Sequence, residues 1–503
     1  MRTLWGILFA GWVLLASPMG ATAEVNGDLE EVDGKYVLTV WGTHAERGYA
    51  VGRLLGPQAK EVFDEYFIDF FCGGSAHVYN YLRSVFTSYF AVDAKYVTEA
   101  EAVFAGMVDG GVDPYNATLG RDLDAVDFLV TNSIVDLSQF GGNGLFGCSS
   151  LSSWGASTAA DPELEGHLVI TRHLDWSRHA SLTDNAVILV HLPAEEDEQK
   201  WVSMSYAGVM GTLSGVSESS VGAFLNMGNN ASGNQGQPYH PILYTLRSGL
   251  EMADYDGDEE HTAADIEAAI ADRSRCAAVI IHTVRDEGEA SEPVIVECNN
   301  SAGVATRTQS DNTLVPGEHL VATNHFRVLY EPVPCYRYAA IADSLTENQE
   351  MTATRSWNVM AHAAGQSSNI MAIQYIPSHG ELACAVDTYA EPAYLQDPTL
   401  FDLDELFAYT PAAADDSPPT SHPALEAHPN PFQATTTLAL PAGGRIDIFD
   451  MSGRRVRTLR AGESARVVWD GTDDLGRAVS SGCYLCRVPS DARGMARKVL
   501  LAD

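Results

Sequence analysis

The chain has 503 residues and carries 67 Asp and Glu residues against 30 Lys and Arg residues, which gives a formal net charge of −37. This acidic balance argues against nucleic acids and anionic membrane surfaces as partners, because both repel a polyanion. Hydrophobic residues make up 46% of the chain, enough to bury a large core, and the length allows two to four domains.

The first 23 residues have the pattern of a secretory signal. Arg2 precedes an apolar run over residues 4–16, and Ala21-Thr22-Ala23 forms a small-x-small cleavage site. A membrane anchor is the alternative, but the apolar run is too short to span a bilayer. We therefore predict that the protein is exported and is secreted or held at the cell surface.

Residues 24–147 are predicted to be mainly helical after one initial strand at 36–42. Helical spacing of apolar residues recurs over four stretches, at 45–55, 60–71, 98–107 and 125–137. A glycine-rich run, 141–147, follows and is expected to be a flexible linker. The eight cysteines of the chain show no zinc-like spacing. Buried thiols are the simplest interpretation, and one or two disulfides remain open in an exported protein.

Two runs in the middle of the chain carry the strongest chemical signal. The first, 147–155, places Cys148 between a glycine and a series of hydroxylic residues. The second, 169–176, is an apolar strand that contains Arg172 and Asp175 near its end. Turn formers lie between the runs, so the simplest geometry is a hairpin that brings both charges beside the cysteine. An arginine and a carboxylate in that position are expected to lower the thiol pKa and to orient a proton acceptor.

The rest of the chain as far as residue 410 alternates strand-like and helical patterns. Strands are predicted at 186–192, 201–206, 221–226, 277–284, 293–297, 303–308, 319–322, 370–376 and 381–385, and helices at 241–252, 262–271 and 338–345. This alternation indicates an α+β fold with layered sheets and helices outside them.

The Gly-Cys-Ser-Ser run and the strand ending Arg-His-Leu-Asp-Trp resemble the N-terminal-nucleophile (Ntn) hydrolases. Among these they are most similar to the penicillin acyltransferase-like C45 peptidases, relatives of acid ceramidase and the bile salt hydrolases. The run 43–52 resembles the Gly-x-x-x-Glu-Arg-Gly-x-x-x-Gly segment that opens C45-like propeptides, although an ordinary amphipathic helix also fits it. The resemblance covers roughly residues 38–407.

Membership of this family implies a four-layer αββα sandwich and a zymogen that cuts itself between Gly147 and Cys148. The new N-terminal cysteine then carries both the nucleophilic thiol and a free α-amine, and catalysis needs no cofactor. Residues 24–147 become a helical propeptide or small subunit that stays associated, and residues 148–410 form the catalytic domain.

The resemblance also assigns roles to Asn226, Asn324 and Arg337. The two asparagines end predicted strands and are implied to face the thiol and hold an oxyanion; without the resemblance, each would simply begin a turn. Arg337 takes the place of a family arginine that steadies the site or the substrate. Two features depart from the family. His173 stands where the family usually has asparagine, and the gap between Cys148 and Arg172 is longer than in the family.

An acidic run before the helix at 262–271 resembles a calcium loop. Oxygen ligands are expected at positions 1, 3, 5 and 12 of such a loop, which here are Asp254, Asp256, Asp258 and Asp265. Position 6 is Glu259 instead of glycine, and position 12 is an aspartate instead of a glutamate. A structural calcium ion and an acidic helix-capping insertion therefore both remain open.

Residues 411–427 are rich in proline, alanine, serine and aspartate and are predicted to be a linker. Short strands with evenly spaced turns follow in 428–503, which predicts a small all-β sandwich. The pattern resembles the FlgD-like and type IX secretion sorting modules of exported bacterial proteins, so secretion machinery is an expected partner. Cys483 and Cys486 fall within one strand on opposite faces, which disfavours redox and zinc chemistry.

Three functions fit this sequence. The first is an autoproteolytically activated cysteine Ntn hydrolase or acyltransferase that acts on carbon–nitrogen bonds of a small linear amide, such as an N-acyl amino acid, a penicillin-type amide or a lipid amide. The second is a phospholipase B-like lipid hydrolase. The third, a non-catalytic surface protein with the same fold, is disfavoured because every expected site residue is present. A papain-like protease is disfavoured because no histidine segment matches that family.

Overall fold

The structure is a computed structural model. It describes residues 24–141, 147–229, 237–286, 292–311, 314–410, 426–428, 430, 432–439, 445–450, 455–460, 466–473, 476–488 and 495–502. The predicted signal, most of the glycine-rich run and nearly all of the predicted linker lie outside these residues. The chain divides into a first unit, Met1–Tyr409, and a second unit, Thr410–Asp503. Each unit is described by itself.

The strands of the first unit form two large sheets and one small ribbon. Their bounds are β1 Gly27–Val32, β2 Lys35–Gly42, β3 Tyr115–Asn116, β4 Arg121–Asp122, β5 Gly147–Ser153, β6 Val169–Asp175, β7 Ala186–Pro193, β8 Trp201–Tyr206, β9 Ser214–Ser217, β10 Gly222–Met227, β11 Val279–Val284, β12 Val294–Asn299, β13 Gly303–Arg307, β14 His319–Ala322, β15 Asn369–Ile376, β16 Glu381–Val386 and β17 Thr399–Asp402. The nine-stranded sheet has the order β1-β2-β7-β8-β9-β10-β11-β12-β13, and the six-stranded sheet has the order β14-β5-β6-β15-β16-β17.

Eleven α-helices are described in the same unit. They are α1 His44–Glu61, α2 Ala76–Tyr89, α3 Ala94–Asp109, α4 Ala125–Thr131, α5 Ile134–Leu137, α6 Ala180–Thr183, α7 Ile242–Glu251, α8 Ala263–Asp272, α9 Tyr336–Glu347, α10 Ala353–Ala364 and α11 Leu403–Phe407. Helix α1 has a kink at Leu55, where the first of the two predicted helices of this region ends, and a π-helical stretch, Val62–Phe71, continues α1 directly. Within the described residues, no helix combines the length and the apolar composition needed to cross a membrane.

The two large sheets face each other through buried polar side chains. Arg172 of β6 donates to the Leu225 carbonyl of β10 at 2.7 Å, and Arg307 of β13 donates to the Val321 carbonyl of β14 at 2.8 Å. Because side chains alternate along a strand, the opposite faces are left for helices. Helix α7 packs against β9 and β10 of the larger sheet, and α10 packs against β5 and β6 of the smaller one. The predicted mixture of helices and sheets, the α+β class, is confirmed.

The segment before Cys148 is an integral part of the first unit. Strand β2 pairs in parallel with β7 along its length, and β1 extends the same sheet. Helices α1 and α3 approach closely because the expected Glu-Arg-Gly segment supplies glycines at the contact. A Cβ atom on Gly52 would lie 1.9 Å from the Val103 carbonyl oxygen, and one on Gly48 would lie 2.4 Å from that of Glu99. The spacing of glycines in this run therefore has a packing cause.

The described residues of the second unit contain only strands as regular elements. They are β18 Glu426–His428, β19 Thr436–Ala439, β20 Arg445–Asp450, β21 Arg455–Arg460, β22 Arg466–Trp469, β23 Gly482–Val488 and β24 Met495–Leu501. Sheets of order β18-β19-β22 and β21-β20-β23-β24 share one core, to which Leu438 and Trp469 contribute from one sheet and Ile448 and Cys486 from the other. The side chain of Cys483 lies outside the described residues.

Candidate active site

The predicted hairpin is present and sets the geometry around Cys148. Strands β5 and β6 are antiparallel, with Gly147 opposite Asp175 and Ser150 opposite Arg172. A methyl group on Gly147 would come within 3.3 Å of the Asp175 Cβ, so the glycine leaves room for the carboxylate beside the expected scissile bond. The longer connection between the strands does not disturb their register.

Each reactive group of Cys148 has a defined neighbour. Its backbone N–H donates to Asn324 Oδ1 at 3.0 Å. Its Sγ lies 3.7 Å from Arg172 Nη2 and accepts a hydrogen bond from the Met227 backbone N–H. The residue is fully buried. The nitrogen that cleavage would convert into an α-amine and the thiol are thus held by separate partners.

Arg337 joins four of the groups around the cysteine. Its Nη1 donates to the Cys148 carbonyl at 2.8 Å, to Ser149 Oγ at 2.9 Å and to Asp175 Oδ2 at 3.0 Å. Its Nη2 donates to Asn324 Oδ1. A planar guanidinium can serve several acceptors in fixed directions. The arginine at the start of α9 is therefore a central part of the site.

Asn324 is held in one orientation by these contacts. Its Oδ1 accepts from both Cys148 N and Arg337 Nη2, so its Nδ2 must point the other way. There it donates to the Met227 carbonyl at 2.8 Å. An amide nitrogen has two hydrogens, which leaves one N–H of Asn324 for a developing oxyanion.

Burial reverses the expected direction of the pKa shift of the Cys148 thiol. Desolvation raises the pKa of the Cys148 thiol above its ordinary value, and Asp175 adds to this, while Arg172 and Arg337 act in the opposite direction without overcoming it. Burial also raises the pKa of Asp175, against the pull of Arg337. The expectation of a lowered thiol pKa is therefore wrong for the intact chain, because desolvation of the thiolate outweighs the nearby positive charges.

Asn226 lies on β10 next to the Met227 amide that contacts the thiol. Its Nδ2 donates to Ser150 Oγ at 3.2 Å, and its Oδ1 is buried without a partner among the described residues. Ser150 is two positions after Cys148 and faces the same way along β5. The structure thus brings Asn226 to the same face of the hairpin as the cysteine.

His173 is removed from this group. It follows Arg172 on β6 and so points to the opposite face of the strand, where its ring stacks on Tyr394 with centroids 5.7 Å apart. Burial, with Arg172 and Arg337, lowers the pKa of His173 to about 3. The departure from the family pattern therefore does not change the set of groups around the thiol.

Two features of the first unit were not predicted from the sequence. Asn369, the first residue of β15, donates to Asp175 Oδ1 at 3.2 Å; its only sequence signal is its place at a strand start. An apolar cavity is also present, lined by Trp176, which follows Asp175 along the chain, and by Tyr206. Tyr66, Leu182 and Leu213 are among its other lining residues.

The acidic loop lies apart from this site, between α7 and α8. Carboxylate oxygens of Asp254, Asp256 and Asp265 lie within 4.8 Å of one another, and Asp258 is not in that group. Asp254 accepts backbone N–H bonds from the loop that follows it. Asp265 also belongs to the capping box of α8. Three of the four expected ligands are thus brought together.

Comparisons with known proteins give only distant matches. A scan against protein-family models finds none, and no curated protein matches. Among solved structures, the chain is similar to an N-acylethanolamine-hydrolyzing acid amidase ortholog from Caenorhabditis elegans, at 13% identity and a TM-score of 0.35 over 50% of this chain and 100% of that one. It is also similar to a mutant of conjugated bile acid hydrolase from Clostridium perfringens, at 6% identity and a TM-score of 0.30 over 52% and 95% of the two chains. At such values, the case for a function rests on the geometry of the site.

Proposed function

We propose that this protein is an exported amidohydrolase of the Ntn type, similar to the C45 family, with a four-layer αββα catalytic unit and Cys148 as its nucleophile. The observation that carries the proposal is the hydrogen bond from the Cys148 backbone nitrogen to Asn324 Oδ1 at 3.0 Å. Strand β14 ends at Ala322, opposite Ser150, so the buried Cys148 N–H lies beyond the paired strand and takes a side-chain acceptor. The same contact would hold an N-terminal α-amine beside its own thiol.

The first reaction is self-cleavage. The Cys148 thiol attacks the Gly147 carbonyl carbon, and the peptide bond to the Cys148 nitrogen breaks as a thioester to sulfur forms. The thiol proton passes to the released amine, and water then hydrolyses the thioester to a Gly147 carboxylate and a free thiol. Arg337, which contacts the Cys148 carbonyl, and Asp175, opposite Gly147, hold the strand ends during this step.

In the mature enzyme the freed α-amine becomes the general base. Its unperturbed pKa of ~8 allows it to take the thiol proton near neutrality. The thiolate attacks the substrate carbonyl, and the remaining Asn324 N–H and the Asn226 amide stabilise the oxyanion. The leaving amine takes the proton back from the α-ammonium. Water, or a second amine in acyl transfer, then releases the acyl group from Cys148.

A linear N-acyl amide and the lipid ester of the phospholipase B-like alternative would both present a carbonyl carbon to the Cys148 thiol. The two substrate classes are therefore tested together.

The test is a hydrolysis screen with N-acyl amino acids, penicillins, lipid amides and phospholipids, combined with thiol labelling. We expect wild-type protein to be cut, with the larger fragment beginning Cys-Ser-Ser-Leu, and to hydrolyse one amide class. Cys148→Ala is expected to remain in one piece and inactive. Cys384→Ala, which removes another fully buried thiol from the same sheet, is the matched control and is expected to be cut and active.

Iodoacetamide provides the decisive result. Full alkylation of Cys148 in the cut protein is expected to abolish hydrolysis. Continued hydrolysis after full alkylation would remove Cys148 as the nucleophile, and an uncut, unreactive wild-type protein would favour a non-catalytic relative.

A further inference from the structure

A buried histidine links the two sheets next to the proposed site. His282 lies on β11 of the nine-stranded sheet, and its ring nitrogens bond two serines of β5 in the other sheet. Nδ1 lies 2.9 Å from Ser150 Oγ, and Nε2 lies 2.8 Å from Ser152 Oγ. All three residues are fully buried. Both serines lie on the face of β5 that carries Cys148, because side chains repeat every second residue.

The same serine holds Asn226. Ser150 Oγ accepts from Asn226 Nδ2 at 3.2 Å while it is bonded to His282. The result is a chain of three hydrogen bonds that runs from Asn226 through Ser150 and His282 to Ser152. One end is the amide proposed to hold the oxyanion, and the other end is four residues from the nucleophile along β5.

The directions of these bonds follow from the donors available. His282 stays neutral, because burial and the Arg307 charge lower its pKa to about 3, so one ring nitrogen donates and the other accepts. Ser150 receives an N–H from Asn226, and its own O–H is then free to donate to His282 Nδ1. In this arrangement His282 carries its proton on Nε2 and donates to Ser152, and this is the tautomer that the inference requires.

We propose that His282 is a positioning residue for oxyanion stabilisation: through Ser150 it fixes the Asn226 amide so that the second N–H of Nδ2 is directed to the reacting carbonyl. The inference rests on the proposed function and adds to it a residue from a strand that has no motif. Ser150 accepts more strongly when its own hydrogen is donated to His282, since bonds in a chain polarise one another. Without His282, the hydroxyl is free to donate to the unpartnered Asn226 Oδ1 instead, and the amide loses its single orientation.

The chain offers a matched control on the opposite face of the same strand. Ser153 Oγ lies 2.7 Å from His319 Nδ1, and His319 Nε2 lies 2.9 Å from the Gln349 carbonyl. This is a second buried Ser–His pair on β5, but it faces away from Cys148. A purely structural role for such a pair predicts equal effects at His282 and His319.

The experiment compares His282→Gln with His319→Gln, and Ser152→Ala with Ser153→Ala, with kcat referred to the self-cleaved fraction. We expect His282→Gln to lower kcat by at least about tenfold and to leave KM nearly unchanged. The loss in kcat should be smaller than the roughly 10²–10³-fold loss that follows removal of a whole oxyanion donor. Ser152→Ala should lower kcat in the same direction, while both control variants stay within about twofold of wild type. In an Asn226→Ala background, His282→Gln should have no further effect, because the two residues act as one unit.

Two further measurements distinguish a loss of oxyanion stabilisation from a general loss of structure or of thiol reactivity. Alkylation of Cys148 by iodoacetamide needs no oxyanion, so its rate should be unchanged in His282→Gln. ¹⁵N NMR of labelled wild-type protein should show the Nε2–H tautomer at His282, even if a variant fails to fold. Equal kcat losses at His282 and His319, additive losses with Asn226→Ala, or the Nδ1–H tautomer would each overturn the inference. A wild-type protein without hydrolysis would instead overturn the proposed function.

Discussion

Arg337 shows how much one side chain contributes to the candidate site. It contacts the Cys148 carbonyl, Ser149, Asp175 and Asn324 with two nitrogens, and it is 8% exposed. Asp175 and Arg337 form a buried pair at 3.0 Å. In such a pair, the charge that remains after one partner is lost is costly, because it has no water to replace the missing contact.

We predict that Arg337→Lys disables the site, since a single ammonium cannot reach all four acceptors. Self-cleavage should be nearly abolished, and the free energy of unfolding should fall by about 1.5–3 kcal/mol, the value of a lost hydrogen bond to a charged group. Mass spectrometry of the purified chain and urea unfolding measure the two effects. Arg355→Lys, at a half-buried arginine of α10, is the control and should be cut normally. A fully cut Arg337→Lys protein would show that charge alone is sufficient.

At the scale of elements, the contact between the early helices and the rest of the first unit contains a buried charge network. Helices α1 and α3 contribute some of its members, and α7 with the loop after β7 contributes the others. His44 is at its centre, with Nδ1 2.6 Å from Glu99 and Nε2 2.8 Å from Glu198. The remaining charged members are Arg47, Lys95, Glu195, Arg247 and Glu251. Because both His44 nitrogens meet carboxylates, the ring is an imidazolium, and the four cations then balance the four carboxylates.

We predict that this network makes the stability of the first unit depend on the charge of His44. Burial lowers the pKa of His44, but its hydrogen bonds with Glu198 and Glu99 outweigh this and raise it above the ordinary value. A raised folded-state pKa gives stability that is complete below the unfolded-state value of about 6.5 and is lost as pH rises through the folded-state pKa. Retention of the 24–147 fragment after cleavage should therefore weaken at alkaline pH.

Urea unfolding of the cleaved protein across this pH range provides the measurement. His44→Gln should lower the free energy of unfolding at acidic pH and flatten its decline on the alkaline side. His362→Gln, at an exposed histidine of α10, should leave the wild-type profile unchanged. If the free energy of unfolding of wild type and of His44→Gln depended on pH in the same way, the prediction would be contradicted.

The acidic loop between α7 and α8 gives a separate prediction, that it holds a structural calcium ion. Glu259 has φ of 73°, the left-handed backbone that glycine usually supplies at position 6 of such a loop. Calcium should therefore raise the melting temperature of the wild type, and a chelator should reverse the rise. Asp254→Asn should abolish this response, and Asp258→Asn, outside the group of three carboxylates, should change it less. A melting temperature independent of calcium would leave the loop as a helix-capping insertion.

At the scale of the whole molecule, the two compact units have separate cores. Every residue of the candidate site belongs to the first unit. We propose that the second unit serves export or surface attachment and predict that it is dispensable for chemistry. A chain ending near residue 420 should keep kcat/KM within about twofold of the full chain and should change only in export or retention by cells. Loss of hydrolysis in folded, truncated protein would show that the second unit contributes to the reaction.

Local pattern was sufficient for many elements. Strands 201–206 and 319–322 are predicted with the bounds that the structure has, because their apolar runs end at clear turn signals. Helices α2 and α10 and strand β9 are not predicted. The pattern of α2 is nevertheless present in the sequence, because its buried residues Tyr79, Leu82, Val85 and Phe86 recur at helical spacing. The single predicted helix at 125–137 is two, α4 and α5, and Asn132 between them bonds to Gly208 and Met210. At that break a tertiary contact outweighed the local preference.

The sequence by itself indicated that Cys148, Arg172 and Asp175 lie together, because turn formers between two strand patterns predict a hairpin. The tertiary structure decided the rest. It brought Arg337 to the cysteine and Asn369 to Asp175, and it placed His282 behind Asn226. These pairs are 189, 194 and 56 residues apart along the chain, beyond the reach of any local pattern. The tertiary structure also decided the direction of the thiol pKa shift. The sequence shows which charged residues are near the cysteine, but the desolvation that outweighs their effect depends on complete burial between two sheets.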